Sequence, residues 1–177
     1  MIALASVGEA LEEDVQVELR RVLASAFDAE IITVPGITLP PSAYDRSRGQ
    51  YYSTPILRQL ARVKPHQAER LLGVADVDLY VPELNFVFGE ADARHGVAIC
   101  SLARLHQHGS DAGARALFLK RAATEAIHEL GHTYSLGHCS NSRCVMWFSN
   151  TLAETDRKGL AFCADHASRL TRVRSHA

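Results

Sequence analysis

Residues 117–146 read LFLKRAATEAIHELGHTYSLGHCSNSRCVM, and the way this stretch must fold decides how the rest of the chain is arranged. It places His128, Glu129 and His132 in H-E-x-x-H spacing, with His138, Cys139, Cys144 and Met146 close behind. A helix turns about 100° per residue, so positions 128 and 132 share one face, one turn and about 6 Å apart. Two imidazoles so placed can hold one ion. Zinc takes neutral imidazole nitrogens readily, and a catalytic zinc keeps three protein ligands and one open position.

His138 is the candidate third ligand. Were the helix to continue, position 138 would lie about 15 Å further along the axis, out of reach of an ion between the other two. The helix must therefore stop and the chain fold back, and Gly137 is a residue that permits the reversal. Glu129, beside the first ligand, is then placed to hold a water at the metal, take its proton during attack on a carbonyl and pass it to a leaving amine. The H-E-x-x-H spacing alone also occurs in ordinary helices. The third histidine, the cysteines and Met146 distinguish it here.

With those residues in place the sequence resembles the archaemetzincins, a branch of the metzincin zinc metallopeptidases. Their pattern, H-E-x-x-H-x-x-G-x-x-H-C, then C-x-M, then C-x-x-C, is matched by HELGHTYSLGHC, SNSR, CVM and FCADH. The segments LNFVFG and SLARL are similar as well. There are two departures. Ser135 stands where the family has its glycine, in a turn expected to need an unusual backbone, and His166 replaces the last cysteine. A Cys3His set still ligates structural zinc, so Cys139, Cys144, Cys163 and His166 form a candidate second zinc site. The resemblance implies peptide-bond hydrolysis and two zinc ions, one catalytic and one structural. It places Met146 in a tight turn forming a hydrophobic floor beneath the catalytic ion, and an antiparallel edge strand, at 85–89, along which an extended peptide substrate binds.

The rest of the chain agrees with such a protein. Its 177 residues, 47% hydrophobic and 22% charged, suit one globular domain. A net charge of −1 gives no general attraction to nucleic acid or to anionic membrane. No stretch approaches the roughly 18 apolar residues of a membrane span. The start, MIALASVGEALEEDV, lacks the basic region of a signal peptide. Three of the four cysteines fall in the second cluster, leaving Cys100 as a core thiol, which points to a reducing, cytoplasmic setting.

Residues 2–7 predict a buried strand, 11–26 a helix with apolar residues at helical spacing, and 29–34 a second strand, together a βαβ unit with a parallel pair. Residues 35–52 carry three prolines and predict a long loop, in which Tyr44, Tyr51 and Tyr52 pack or line a cleft. Ser53 or Thr54 is a candidate cap for a helix ending near Lys64-Pro65. Further strands are expected at 76–81, 85–88 and 97–102, followed by a loop from His106 to Gly113 with two solvated histidines. The active-site helix is expected at 114–134 and a C-terminal helix at 153–173.

The expected fold is α/β and metzincin-like, one domain over 1–177. A mixed, mostly parallel sheet of about five strands and the active-site helix occupy a subdomain at 1–134. A zinc-knotted part occupies 135–177. The main functional alternative is a zinc-dependent peptide- or protein-binding module with little catalysis. A nucleic-acid module built on the Cys/His knot is disfavoured by the lack of a basic patch. Oligomeric state is not readable from the sequence.

Overall fold

The computed structural model describes residues 1–106 and 111–175. In β1 (Ile2–Ser6), Ile2 and Leu4 pack into one apolar cluster and Ala3 and Ala5 into another, as the period of two in a strand requires. Helix α1 (Glu13–Phe27) buries Val15, Leu19, Val22, Leu23 and Phe27 along one stripe and ends at Asp28, in the left-handed region at φ 45°. Strand β2 (Ile31–Thr33) then returns parallel to β1, completing the expected βαβ unit.

Residues 35–52 are more ordered than their prolines suggested. A short 3-10 turn leads into a hairpin of β3 (Tyr44–Asp45) and β4 (Gln50–Tyr52), with Tyr44 tilted against Tyr51 at 4.9 Å. The tyrosines thus pack the hairpin. Helix α2 (Ser53–Val63) follows directly. Its cap position is Tyr52, and the hydroxyls of Ser53 and Thr54 donate instead to the Glu90 carboxylate.

β5 (Arg70–Ala75) lies outside every strand expected from the sequence, and the expected strand at 76–81 is reduced to β6 (Leu79–Tyr80). β5 is central to the sheet and buried on both faces, so it carries no polar alternation to mark it. The edge strand is β7 (Gly89–Asp92), displaced from the expected 85–88, where only Val87 makes an isolated bridge, to Leu79. β8 (Val97–Ser101) pairs antiparallel with β7 and parallel with β5. The main sheet runs β2-β1-β5-β8-β7, five strands with one antiparallel edge, as the sequence implied.

Helix α3 (Ala112–Thr133) is capped by the Asp111 side chain accepting from Ala114 N–H and packs with α1 on one face of the sheet. α2 covers the other face. The expected C-terminal helix is broken in two: α4 (Leu152–Arg157), opened by a Thr151–Glu154 capping box, and α5 (Ala164–Arg174). Lys158 turns inward between them and is fully buried. Of the two loop histidines expected to be solvated, His106 is exposed, with its ring stacked on Phe118 at 4.3 Å and Nε2 3.2 Å from the Asp76 carboxylate, and His108 lies outside the described residues. Among the described residues no helix is long and apolar enough to cross a membrane.

Candidate metal centre

The last two turns of α3 carry His128, Glu129 and His132, all facing the junction between the sheet and the segment that leaves the helix. The helix stops at Thr133, and the reversal is made at Ser135, which sits at φ 60°. Ser135, the departure from the family glycine, thus adopts the left-handed backbone that glycine would have taken. Gly137, the residue singled out for this reversal, does not have a positive φ.

Beyond the turn His138 comes back over the helix. Its ring stacks with His128 at 5.4 Å and meets His132 edge-on at 4.9 Å. The three imidazoles offer nitrogens within 4.8 Å of one another. The tautomers of His128 and His132 are fixed by what lies behind them. His128 Nδ1–H donates to Val145 O at 2.8 Å and His132 Nδ1–H to Leu136 O at 2.7 Å. The two Nε2 atoms, 3.1 Å apart, are therefore left as bare lone pairs pointing at one spot. Burial, followed by Lys158 and the neighbouring imidazoles, holds His128 well below the usual histidine range, and His132 and His138 are lowered too, chiefly by burial. Neutral imidazoles with converging Nε2 atoms fit a zinc ion.

Glu129 is buried between α3 and the edge strand. A β-carbon added at Gly89 would lie 2.4 Å from Glu129 Cγ, so only glycine leaves room for that side chain. Burial, and then the charge of Glu125, push the Glu129 carboxyl well above the usual carboxylate range, with Lys158 pulling the other way. Met146, fully buried, lies against α3 from below, where a β-carbon at Gly131 would meet its Sδ at 2.6 Å. A side chain at Gly131, inside the H-E-x-x-H pattern, would therefore have to displace the Met146 thioether.

The second expected cluster also assembles. Cys139, Cys144, Cys163 and His166 place one sulfur or nitrogen each within 4.8 Å of the others. Cys163 Sγ is 3.3 Å from His166 Nδ1 and 3.8 Å from Cys139 Sγ, and Cys163 N–H points at Cys144 Sγ. His166 Nε2–H donates to Gly137 O at 3.0 Å, leaving Nδ1 for the cluster. Hydrogen bonds from the His166 backbone and side chain bring the Cys163 thiol down to about 6. None of the four cysteines forms a disulfide, and burial pushes the Cys100 thiol far up.

An open cleft of about 450 Å³ lies over the three histidines, between residues 84–89 and the segment around Phe148. Sequence reasoning missed three of the residues that shape it or back it. Glu125 could have been found one helical turn before Glu129, whereas Gly89 and Lys158 meet the centre only through the fold.

A mostly parallel sheet with an antiparallel edge above a helix that presents H-E-x-x-H to a third histidine defines a zinc-dependent metallopeptidase of the metzincin type. Residues 7–172 match the model for Peptidase family M54. The chain is 40% identical over 148 residues to an archaemetzincin of Archaeoglobus fulgidus, covering 84% of this chain and 86% of that one. It is 46% identical over 131 residues to one of Methanocaldococcus jannaschii, covering 73% and 71%. The crystal structure of the Methanopyrus kandleri archaemetzincin superposes with a TM-score of 0.87 at 34% identity, over 99% of this chain and 96% of that chain. The chain belongs to peptidase family M54, the archaemetzincins.

Proposed function

We propose that this metallopeptidase cleaves peptide bonds with His128, His132 and His138 holding the catalytic zinc and Glu129 moving the protons. The convergence of three neutral imidazoles beside one buried carboxylate carries this reading. Zinc bound there supplies Lewis acidity to the scissile carbonyl and to the charge that develops on it. Glu129 accepts a hydrogen bond from the attacking water and takes its proton as the carbon–oxygen bond forms. The carboxylic acid so formed then passes the proton to the amide nitrogen, which leaves as the carbon–nitrogen bond breaks. The peptide lies extended along residues 85–89 and into β7, whose outer edge has no partner strand among the described residues.

The Cys139, Cys144, Cys163 and His166 cluster holds a second, structural zinc that ties α5 to the segment leaving His138. The chain works as one domain over residues 1–177, with 1–134 supplying the sheet and active-site helix and 135–177 the Met146 turn and the zinc knot. Four free thiols suit the cytoplasm. A net charge of −1 supports a peptide rather than a nucleic-acid partner. The test is Glu129→Gln: zinc content should stay at the parent value while peptide hydrolysis falls at least about 10³-fold. Hydrolysis at the parent rate in the variant would exclude Glu129 from this role.

A further inference from the structure

The cleft over the histidines carries a carboxylate that the proton-transfer chemistry does not use. Glu125 lines it one turn before Glu129 and is almost fully buried. An acidic group at the inner end of a substrate cleft ordinarily selects a basic side chain. Here the counter-cation is built in. Lys158, fully buried, reaches in from the chain between α4 and α5 and places Nζ 3.2 Å from Glu125 Oε1, and Thr155 Oγ1–H donates to the same oxygen at 3.0 Å.

The walls are aromatic. Phe86 and Phe88 meet edge to face at 5.2 Å on the strand side, and Phe148 stands opposite, packed on His138 at 4.7 Å with 45% of its surface exposed. The outer face that Phe86 could offer to a cation is already covered by the Arg104 guanidinium at 4.1 Å, which Asp78 holds in a bidentate pair. Glu125, the acidic group among the cleft's lining residues with a buried cation against it, thus has no uncompensated charge to offer an arriving lysine or arginine.

We infer that Lys158 is a specificity-determining residue: by neutralising Glu125 from inside the protein it makes the cleft accept a bulky apolar or aromatic substrate side chain next to the scissile bond. This rests on the peptidase reading above. The cleft volume, about 450 Å³, is in the range of sites that enclose a large side chain with its flanking backbone. Burial of apolar surface against Phe88 and Phe148 supplies the binding energy.

Two measurements test it. Zinc-loaded parent protein is given a peptide library varied at the positions flanking each bond. Separately, fluorescence anisotropy compares matched labelled peptides carrying Phe or Lys at the selected position, bound to Glu129→Gln so that binding is read without turnover. The expected result is cleavage beside Phe, Tyr, Leu or Met and at least about tenfold tighter binding of the Phe peptide. Adding Lys158→Met should shift the preference at least about tenfold toward the Lys peptide, and adding Glu125→Gln as well should abolish that shift. Leaving Glu125 unpaired can unfold the Lys158→Met protein, so Phe148→Ala, at a half-exposed position, is measured in parallel. It should lower the Phe preference about tenfold. Cleavage with no side-chain preference or with a basic one, an unchanged preference in folded Lys158→Met, or an unchanged preference in Phe148→Ala would overturn the inference while leaving the peptidase reading standing. Neither cleavage nor peptide binding by the zinc-loaded parent would overturn that reading and the inference with it.

Discussion

Gly89 of the edge strand and Glu129 of the active-site helix touch with no room for a side chain between them: a β-carbon at 89 would lie 2.4 Å from Glu129 Cγ and 2.6 Å from its Cδ. The edge strand thereby sets the position of the carboxylate. Gly89→Ala is expected to displace Glu129 or the strand by a few tenths of an ångström or more, because Ile99 O lies 2.4 Å from the same point and cannot move aside freely. A displacement approaching 1 Å costs about 10²-fold in rate. Steady-state kinetics should show the loss in kcat/KM with zinc content unchanged; a rate within twofold of the parent would show that Glu129 does not need this contact.

Ser135 pays for the reversal that returns His138 to the helix. A left-handed residue other than glycine is strained by about 1–2 kcal/mol, partly offset by the greater freedom of glycine in the unfolded chain. Ser135→Gly should therefore raise stability by about 1 kcal/mol and the melting temperature by about 2–4 °C, and Ser135→Val should lower both. Thermal melts of the three proteins at one zinc concentration check this. A fall in stability for Ser135→Gly would mean that the serine side chain contributes more than its backbone strain removes.

Arg121, buried in α3, makes a bidentate pair with Asp156 of α4 at 2.7 Å for each bond. The guanidinium holds the Asp156 carboxyl below its usual 3.8. A carboxyl lowered on folding contributes stability that is present above its unfolded value and is lost as pH falls through its folded value. Urea midpoints should therefore drop as pH goes from about 5 toward 3, and Asp156→Asn should flatten part of that drop. At neutral pH that substitution should cost about 1.5–3 kcal/mol, the range for hydrogen bonds to a charged partner. An unchanged acid dependence in the variant would assign the effect to other carboxylates.

The sequence carried the local part of the centre well. His128, Glu129 and His132 are set by one helical period, and the strain at Ser135 follows from having to bring His138 back within six residues of His132. Less legible were the elements whose role is decided at a distance. β7 reads GEAD, a composition that favours loops, and is a strand because it finds β8 in register. β5 is apolar on both faces with Gly73 in its middle, so neither alternation nor length marked it. The C-terminal helix broke at Lys158 because the buried partner Glu125 and the cluster at Cys163 both draw the chain inward there. No local pattern records such a pairing across more than thirty residues.

The Cys139, Cys144, Cys163 and His166 cluster should be separable from the histidine centre. Cys163→Ser is expected to release one zinc and to expose the segment after α4 to limited proteolysis, since structural zinc supplies on the order of 10 kcal/mol in small zinc-dependent folds. Peptide mapping of the nicked protein locates the cut. Full zinc content and unchanged protease resistance in Cys163→Ser would show that the cluster is a set of packed thiols.

The central claim is that two distinct metal centres exist, one made by three histidines and one by three cysteines and a histidine. Elemental analysis of purified, unchelated parent protein beside His132→Ala tests it most directly. The expected result is two zinc ions per chain in the parent and one in the variant, with the Cys/His centre intact in both. Equal zinc in parent and variant would contradict the histidine centre, and no zinc in either would contradict both.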